Sequence, residues 1–204
     1  KTLGVAGIKA YEEDGLKNIT AVASCMKHYL GYSNSRNGKD RTPIYMPEIE
    51  MREYYLPQFR EAVKAGSSSI MINSSEINGE PVHASKYLLT DVLRKELGFE
   101  GLIVTDWEDI IRIYTRHNVA ATPREAVAKA INAGIDMSMV PMDYSFYGLL
   151  LEAVKKGEVP MSRIDDAVTR ILILKYKVGL FDNPYPEPAA VPNFGKPSYQ
   201  TLAL

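Results

Sequence analysis

The chain has 204 residues, of which 24 are lysine or arginine and 25 are aspartate or glutamate, so its formal net charge is -1. This balance gives no support for a nucleic-acid partner or for an anionic membrane surface as a partner. No apolar run reaches the ~20 residues that a bilayer-spanning helix needs. The single cysteine, Cys25, excludes a disulfide within the chain, and its place in an apolar run predicts a buried thiol.

Apolar runs with strand character alternate with segments of helical periodicity along the chain. Strands are predicted at 21–26, Ser69–Ile72, 102–105 and 135–140, and helices at 52–65, 85–97, Pro123–Ala133 and 162–178. The third helix has the clearest start, because Thr122 and Glu125 form a capping box around a proline at the first helical position. Strands that recur with helices between them predict parallel pairing and an α/β fold.

The last part of the sequence has a different composition. The stretch "DNPYPEPAAVPNFGKPS", which begins after Phe181, contains five prolines. Proline lacks the backbone donor that helices and central strands require, so this stretch is predicted to be extended. Residues 1–181 are therefore assigned to one domain and residues 182–204 to a linker.

In parallel α/β folds, functional residues collect at the carboxyl ends of the strands. Three of the predicted strands are followed by side chains suited to sugar binding: Lys27, His28, Ser74, Glu76, Asp106 and Trp107. Sugar hydroxyls need directional donors and acceptors, and an aromatic ring can cover the apolar face of a sugar. A carboxylate can attack or stabilise a glycosidic carbon that develops positive charge. The sequence therefore predicts a sugar site with Asp106 as its reactive carboxylate.

Three segments resemble glycoside hydrolase family 3, the β-glucosidase family. "KHYLGYSNSRNGKDRTP" is similar to the Lys-His substrate-binding loop of that family, and "GFEGLIVTDWEDI" is similar to its nucleophile motif. "VPMSRIDDAVTRILILKYKVGLFDNPY" resembles the last helix of the family's barrel and the start of its linker. A lone Asp-Trp pair would be weak evidence, but here all three segments occur in the order found in the family.

The resemblance implies a (β/α)8 TIM-like barrel, of which this chain covers roughly the carboxyl-terminal half. It also implies a retaining enzyme that releases β-linked glucose from nonreducing ends. Asp106 matches the nucleophile, Trp107 the tryptophan beside the sugar, and Lys27 and His28 the pair that binds sugar hydroxyls. Ser74 stands where some members have a tyrosine and is predicted, with Glu76, to contact the substrate. The chain lacks the Asp-Ser-His motif of the hexosaminidase branch, which favours the glucosidase branch.

Family members carry about half a barrel before the segment that matches Lys1, and usually take their general acid/base from a second α/β domain beyond the linker. The expected partners are therefore an oligosaccharide or glucoside substrate, the remaining half-barrel and that second domain. The 204-residue chain alone is expected to be inactive. The resemblance further implies a periplasmic or secreted enzyme. No cofactor or metal is predicted, because the three histidines and one cysteine show no ligand spacing.

Two other functions are compatible with some of these residues. Lys27 could form a Schiff base in a barrel-type lyase if it were desolvated, with His28 helping to lower its pKa. A noncatalytic carbohydrate-binding fragment would use the same polar groups without turnover. His83 is a further candidate for a sugar contact, and Arg116 with His117 for the leaving-group subsite. Glu108 and Asp109 are interpreted as caps of the following helix.

Overall fold

The computed structural model describes residues 1–185 and 188–203. Its strands are β1 Cys25–Tyr29, β2 Ser69–Ile72, β3 Glu76–Ile77, β4 Glu80–Pro81, β5 Leu102–Trp107 and β6 Met137–Met139. Four of them form a parallel sheet in the order β1-β2-β5-β6, and β3 pairs with β4 in an antiparallel hairpin. The order of the parallel strands follows the order of the chain, as expected for consecutive βαβ units.

Helices connect and cover these strands. The α-helices are α1 Thr2–Tyr11, α2 Glu48–Glu50, α3 Leu56–Lys64, α4 Asp109–Thr115, α5 Pro123–Ala133, α6 Ser145–Lys155, α7 Met161–Lys177 and α8 Pro197–Ala203. A π-helical segment, Met51–Tyr55, joins α2 to α3, and a second one spans Tyr87–Glu96. Short 3₁₀ turns lie at Glu13–Leu16, Val82–Ala84 and Pro188–Asn193.

The hydrophobic core lies between the sheet and its helices. Ile70, Ile72 and Ile103 are fully buried on the sheet, and Leu89 and Leu93 meet them from the helix between β2 and β5. Apolar side chains that leave water in this way supply most of the stabilisation of such a layer. The prediction of an α/β fold with parallel strands is confirmed.

The predicted boundaries agree with the structure to different degrees. β2 and α5 match their predictions, whereas β1 begins four residues later and extends through Lys27 and His28. β5 continues two residues beyond Thr105, because Trp107 still pairs with Met139 of β6. Asp106 therefore lies within the last two residues of β5 and does not follow it.

The prediction that Cys25 is buried is wrong, since the structure leaves this thiol exposed. Successive side chains of a strand point to opposite faces of a sheet. Met26 packs into the core between the sheet and its helices. Cys25 therefore points to the other face of the sheet, which the helices do not cover. The apolar run around Cys25 indicated a strand but did not distinguish the two faces.

The expectation of an extended segment over 182–204 is wrong for α8, which is helical. Proline is tolerated in the first turn of a helix, where the missing N–H would have no partner, and Pro197 occupies the first position of α8. Pro186, Glu187 and Leu204 belong to this predicted linker and lie outside the described residues. The domain boundary after residue 181 stays a prediction.

Ion pairs and hydrogen bonds connect the amino ends of the strands to the helices, at the edge of the sheet opposite the predicted site. Asp136, just before β6, is buried and accepts from Arg94 at 2.6 Å and from Arg163 at 2.7 Å. It also accepts the backbone N–H of Ile103 at 2.9 Å. Arg170 approaches the same carboxylate at 3.5 Å. One carboxylate thus ties three arginines, from two helical segments, to the centre of the sheet.

Candidate active site

Asp106 stands at the carboxyl end of β5 with polar groups on both carboxylate oxygens. Oδ1 accepts the backbone N–H of Trp107 at 2.6 Å and lies 3.4 Å from Nη2 of Arg41. Oδ2 accepts the hydroxyl of Ser74 at 3.1 Å and lies 3.7 Å from Nε2 of His28. The strands β1, β2 and β5 are neighbours in the sheet, so their carboxyl ends bring these groups together.

These neighbours keep the carboxylate in its charged form. Partial burial alone would raise the pKa of Asp106. The hydrogen bonds from Trp107 and Ser74, with the charge of Arg41 and, at low pH, that of protonated His28, outweigh burial and hold the pKa below its usual range. Asp106 is therefore an ionised carboxylate throughout the neutral pH range, as an attacking or charge-stabilising group must be.

Lys27 and His28 lie in the second half of β1, and His28 is the one that contacts Asp106. Burial is the main cause that lowers the pKa of His28, and the nearby charge of Asp106 opposes the shift without cancelling it. His28 is therefore neutral at pH 7, and its ring stacks at a tilt against Tyr32 with the centroids 4.4 Å apart. Lys27 is exposed, so this chain does not provide the desolvation that a Schiff-base lysine requires.

Trp107 completes the open side of the site. It is the last residue of β5, and 45% of its surface remains accessible. A large aromatic side chain left exposed next to an ionised carboxylate is suited to stacking against a sugar face. The structure thus brings together three residues predicted from the sequence, His28, Asp106 and Trp107, whereas Lys27 precedes His28 in β1 and is exposed.

Ser74 and Glu76 each have protein partners in the structure. Ser74 is buried, with 2% of its surface accessible, and its hydroxyl bonds to Asp106 and to Asp109. Glu76 Oε2 lies 3.1 Å from Nδ1 of His117. The sugar contacts of Ser74 and Glu76 remain predictions, whereas their protein partners are defined by the structure.

The interpretation of Glu108 and Asp109 as helix caps is wrong for their side chains. Glu108 holds the capping position of α4 in a left-handed conformation, but its side chain makes no capping hydrogen bond. Asp109 is the first residue of α4 and is buried, with 3% of its surface accessible. Its Oδ1 accepts from Arg112 at 3.2 Å, and its Oδ2 accepts from Ser74. A buried carboxylate needs such partners, and Asp109 finds them within the site.

His83 lies below Asp106 and is also buried, with 2% of its surface accessible. Its Nε2 accepts the backbone N–H of Asp106 at 3.4 Å and lies 3.8 Å from Oδ2 of Asp109. Burial is the main cause that lowers the pKa of His83 to about 4, and the two carboxylates oppose it only in part. His83 is thus a neutral support for the backbone of β5.

The depressed pKa of His83 predicts a specific pH dependence of stability. The unfolded chain binds the proton with a pKa near 6.5, so protonation favours unfolding as the pH falls from about 6.5 to about 4. The contribution is complete above pH 6.5 and amounts to about 3 kcal/mol, from the separation of the two pKa values. Urea unfolding of the parent and of His83→Gln at several pH values measures it. The expected result is a flatter curve for the variant over this window, and parallel curves would contradict it.

Arg41 was not identified from the sequence. It lies in the polar loop after β1, where arginine is most often a solvated surface residue, and only the fold brings it to Asp106. Arg116 donates to the backbone carbonyl of Arg41 and so fixes this loop from the segment after α4. Arg116 was predicted to line a leaving-group subsite, and the structure gives it this contact with the loop.

Two further properties concern the described part of the chain. None of its helices is long and apolar enough to cross a membrane. Across residues 1–185 and 188–203, no cluster of three or more histidine, cysteine, aspartate or glutamate side chains is arranged to hold a metal ion.

Comparison with known proteins places these observations in a family. A lysosomal β-glucosidase of Dictyostelium discoideum is 50% identical over 194 residues, which are 92% of this chain and 24% of that protein. A periplasmic β-glucosidase of Salmonella typhimurium is 35% identical over 183 residues, 90% of this chain and 24% of that protein. The chain thus spans about a quarter of the length of these curated relatives.

Structural similarity leads to the same group of proteins. A β-glucosidase of Listeria innocua, solved in complex with glucose, superposes with a TM-score of 0.92 at 29% identity, covering 98% of this chain and 28% of that protein. This similarity confirms the prediction that the parallel sheet and its helices form part of a TIM-like barrel. The model of the glycosyl hydrolase family 3 N-terminal domain matches residues 1–174. The chain therefore belongs to glycosyl hydrolase family 3.

Proposed function

We propose that the protein containing this chain is a retaining β-glucosidase in which Asp106 attacks the anomeric carbon of the nonreducing-end glucose. The observation that carries this proposal is the position of Asp106, which is held ionised beside Trp107, His28 and Arg41. The names of the relatives support glucosides as the substrate class. A complex of a structural neighbour with glucose supports the same class.

In this mechanism one oxygen of Asp106 forms a bond to the anomeric carbon while the bond to the leaving oxygen breaks. A water molecule later hydrolyses the resulting ester and restores the carboxylate. The leaving oxygen needs a proton from a second carboxyl group ~5–5.5 Å away in retaining enzymes. Asp109 is buried and held by Arg112, and Glu76 is engaged with His117, so we propose that this acid lies outside the present chain.

A covalent label tests the role of Asp106. The fluorine of a 2-fluoro glucoside destabilises the transition states of both steps. A good leaving group compensates for this in the first step, so the glycosyl-enzyme forms and is then hydrolysed slowly. Full-length protein treated with this reagent should carry the mass of one fluoroglucosyl group on the peptide that contains Asp106. Labelling of another carboxylate would reassign the nucleophile.

Lys27 and His28 are proposed to bind hydroxyls of the same glucose. Lys27→Ala and His28→Ala should each lower kcat/KM for an aryl β-glucoside by about ten- to hundredfold, the scale of hydrogen bonds that involve charged groups. Lys64→Ala is a suitable control, since Lys64 lies on α3 and pairs with Glu61 at 3.2 Å. Parent-like kinetics in both variants would show that this pair does not contact the sugar.

We also propose that the enzyme works outside the cytosol, in a periplasm or as a secreted protein. The support is coarse and comes from the names of the relatives, one of which is periplasmic and one lysosomal. Fractionation of cells that express the natural gene, followed by detection of the protein in each fraction, tests this location. Recovery in the cytosolic fraction alone would contradict it.

A further inference from the structure

The hydroxyl of Ser74 lies between two carboxylates. Its oxygen is within hydrogen-bond distance of Oδ2 of Asp106 and of Oδ2 of Asp109. A serine hydroxyl has one hydrogen and can donate fully to one acceptor at a time. Two acceptors therefore compete for one donor at the carboxylate that we propose to be the nucleophile.

The second acceptor is fixed in place. Asp109 is buried at the start of α4, and its other oxygen accepts from Arg112 at 3.2 Å. Nε2 of His83 lies 3.8 Å from the oxygen that faces Ser74 and bears no proton, because it accepts the N–H of Asp106. The charge of Asp109 is thus balanced mainly by Arg112, and the orientation of its carboxylate is set by the protein.

The pKa of Asp106 depends on the titratable and charged groups that face its carboxylate. Arg41 and His28 approach from the segments of β1 and its loop, His83 from the turn after β4, and Asp109 from α4. Of these groups, Asp109 is the one that carries negative charge. It is also linked to Asp106 by a shared hydrogen-bond donor.

We propose that Asp109 is a positioning residue that withdraws the hydrogen of Ser74 from Asp106 and so keeps the nucleophile more basic than a fully donated hydrogen bond would leave it. This inference rests on the proposed role of Asp106. When Asp106 forms the glycosyl ester it loses its charge and becomes a weaker acceptor, and the hydroxyl of Ser74 then donates to Asp109. Asp109 thereby keeps the hydroxyl satisfied in both states of the enzyme.

Two substitutions should shift the acid limb of the pH–rate profile, where protonation of Asp106 lowers the rate, in opposite directions. In Asp109→Asn the amide donates to the oxygen of Ser74, which frees the hydroxyl hydrogen for Asp106, and a nearby negative charge is lost. Both effects lower the pKa of Asp106. Ser74→Ala removes the donor and raises that pKa. Each limb should move by about half to one pH unit, the scale of a single hydrogen bond.

The experiment uses full-length protein and the pH dependence of inactivation by a 2-fluoro glucoside, which reports the free enzyme and the attack step. The rate of reactivation reports the second step. We expect Asp109→Asn to inactivate more slowly and reactivate faster than the parent, because a less basic carboxylate is a poorer nucleophile and a better leaving group. Ser75→Ala is the matched control, since Ser75 is equally buried but its hydroxyl has no hydrogen-bond partner among the residues that the structure describes. Its profile should equal that of the parent.

A double substitution distinguishes an effect of Asp109 through the hydroxyl of Ser74 from a direct effect of its charge on Asp106. If Asp109 acts through Ser74, the shift caused by Asp109→Asn should fall to less than half in a Ser74→Ala background. Ser74→Thr keeps the hydroxyl and should restore the parent limb. Should Asp109→Asn fail to fold, Asp109→Ser removes the acceptor by shortening the side chain and must shift the limb in the same direction.

The outcomes distinguish this proposal from the function on which it rests. Shifts of the same sign in Ser74→Ala and Asp109→Asn would overturn the shared-donor proposal, as would limbs within about 0.2 pH unit of the parent, far below the scale of one hydrogen bond. If Asp109→Asn shifted the limb just as far in the Ser74→Ala background, Asp109 would act through its charge alone. That result would also overturn the shared-donor proposal. Recovery of the fluoroglucosyl label on a residue other than Asp106 would instead reject the nucleophile assignment.

Discussion

Asp106→Asn is expected to remove glycosidase turnover from the full-length protein by ~10³-fold or more, the loss typical of a missing covalent nucleophile. Asparagine has almost the same shape as aspartate, and its carbonyl oxygen still accepts a hydrogen bond from Trp107 or Ser74. The fold should therefore remain intact. The neutral amide can neither attack the anomeric carbon nor balance the positive charge that develops there. Steady-state hydrolysis of an aryl β-glucoside at pH 7 measures the loss.

The control for this variant is Glu108→Gln. Glu108 follows Trp107, and the approach of its Oε2 to Arg112 is long, at 4.0 Å, so its removal should change kcat/KM by less than about tenfold. Activity of Asp106→Asn within tenfold of the parent would take Asp106 out of the mechanism. A parent protein that binds glucose and shows no turnover would support the noncatalytic alternative.

Local patterns were sufficient to predict those elements whose signals depend on nearby residues. The start of α5 is encoded by Thr122, whose side chain accepts the N–H of Glu125 as the capping box predicts. β2 is an apolar run of four residues bounded by polar ones, so its ends follow from composition. Asp106 and Trp107 were assigned to the site because they come at the end of such a run.

The contacts that define the candidate site depend on residues far apart in the chain. Ser74 and Asp109 are 35 positions apart, and neither has a local pattern that predicts the other. Arg41 reaches Asp106 only because the loop after β1 folds back over the sheet. The exposure of Cys25 also depends on distant residues. Hydrophobicity predicted the strand but not which face of the sheet would pack against the helices.

The second large effect is expected at the opposite edge of the sheet, in the cluster around Asp136. Burial lowers the pKa of Arg94 to about 10, and the nearby charges of Arg170 and Arg163 act in the same direction, while Asp136 opposes them. The side chain of Asp136 is fully buried. Its charge is therefore the principal compensation for three guanidinium groups that converge on the start of β6.

Asp136→Asn should lower the free energy of unfolding by about 3–5 kcal/mol, the cost of removing one partner from a buried ion pair. The neutral amide removes the charge that pairs with Arg94 and leaves Arg163 with the half-exposed Asp166. Asp166→Asn is the matched control, because Asp166 also contacts Arg163, at 3.0 Å, and Arg170, but its side chain is 46% exposed. Exposed pairs contribute little, so this variant should lose about 1 kcal/mol or less. Urea unfolding of the full-length protein, followed by the signal of this domain, compares the two.

Both carboxylates contact Arg163 and Arg170, and Asp136 contacts Arg94 as well, so the two positions differ in burial and in this one additional arginine. If the two variants lost equal stability, the position of Asp136 beneath the sheet would have no special cost, and the cluster would act as an ordinary surface network. If Asp136→Asn lost less than Asp166→Asn, the buried charge would be a liability that the fold tolerates. We expect instead that Asp136→Asn unfolds at much lower urea, because the amide keeps only one acceptor oxygen. Its NH2 group then faces either Arg163 or the donors of Arg94 and Ile103.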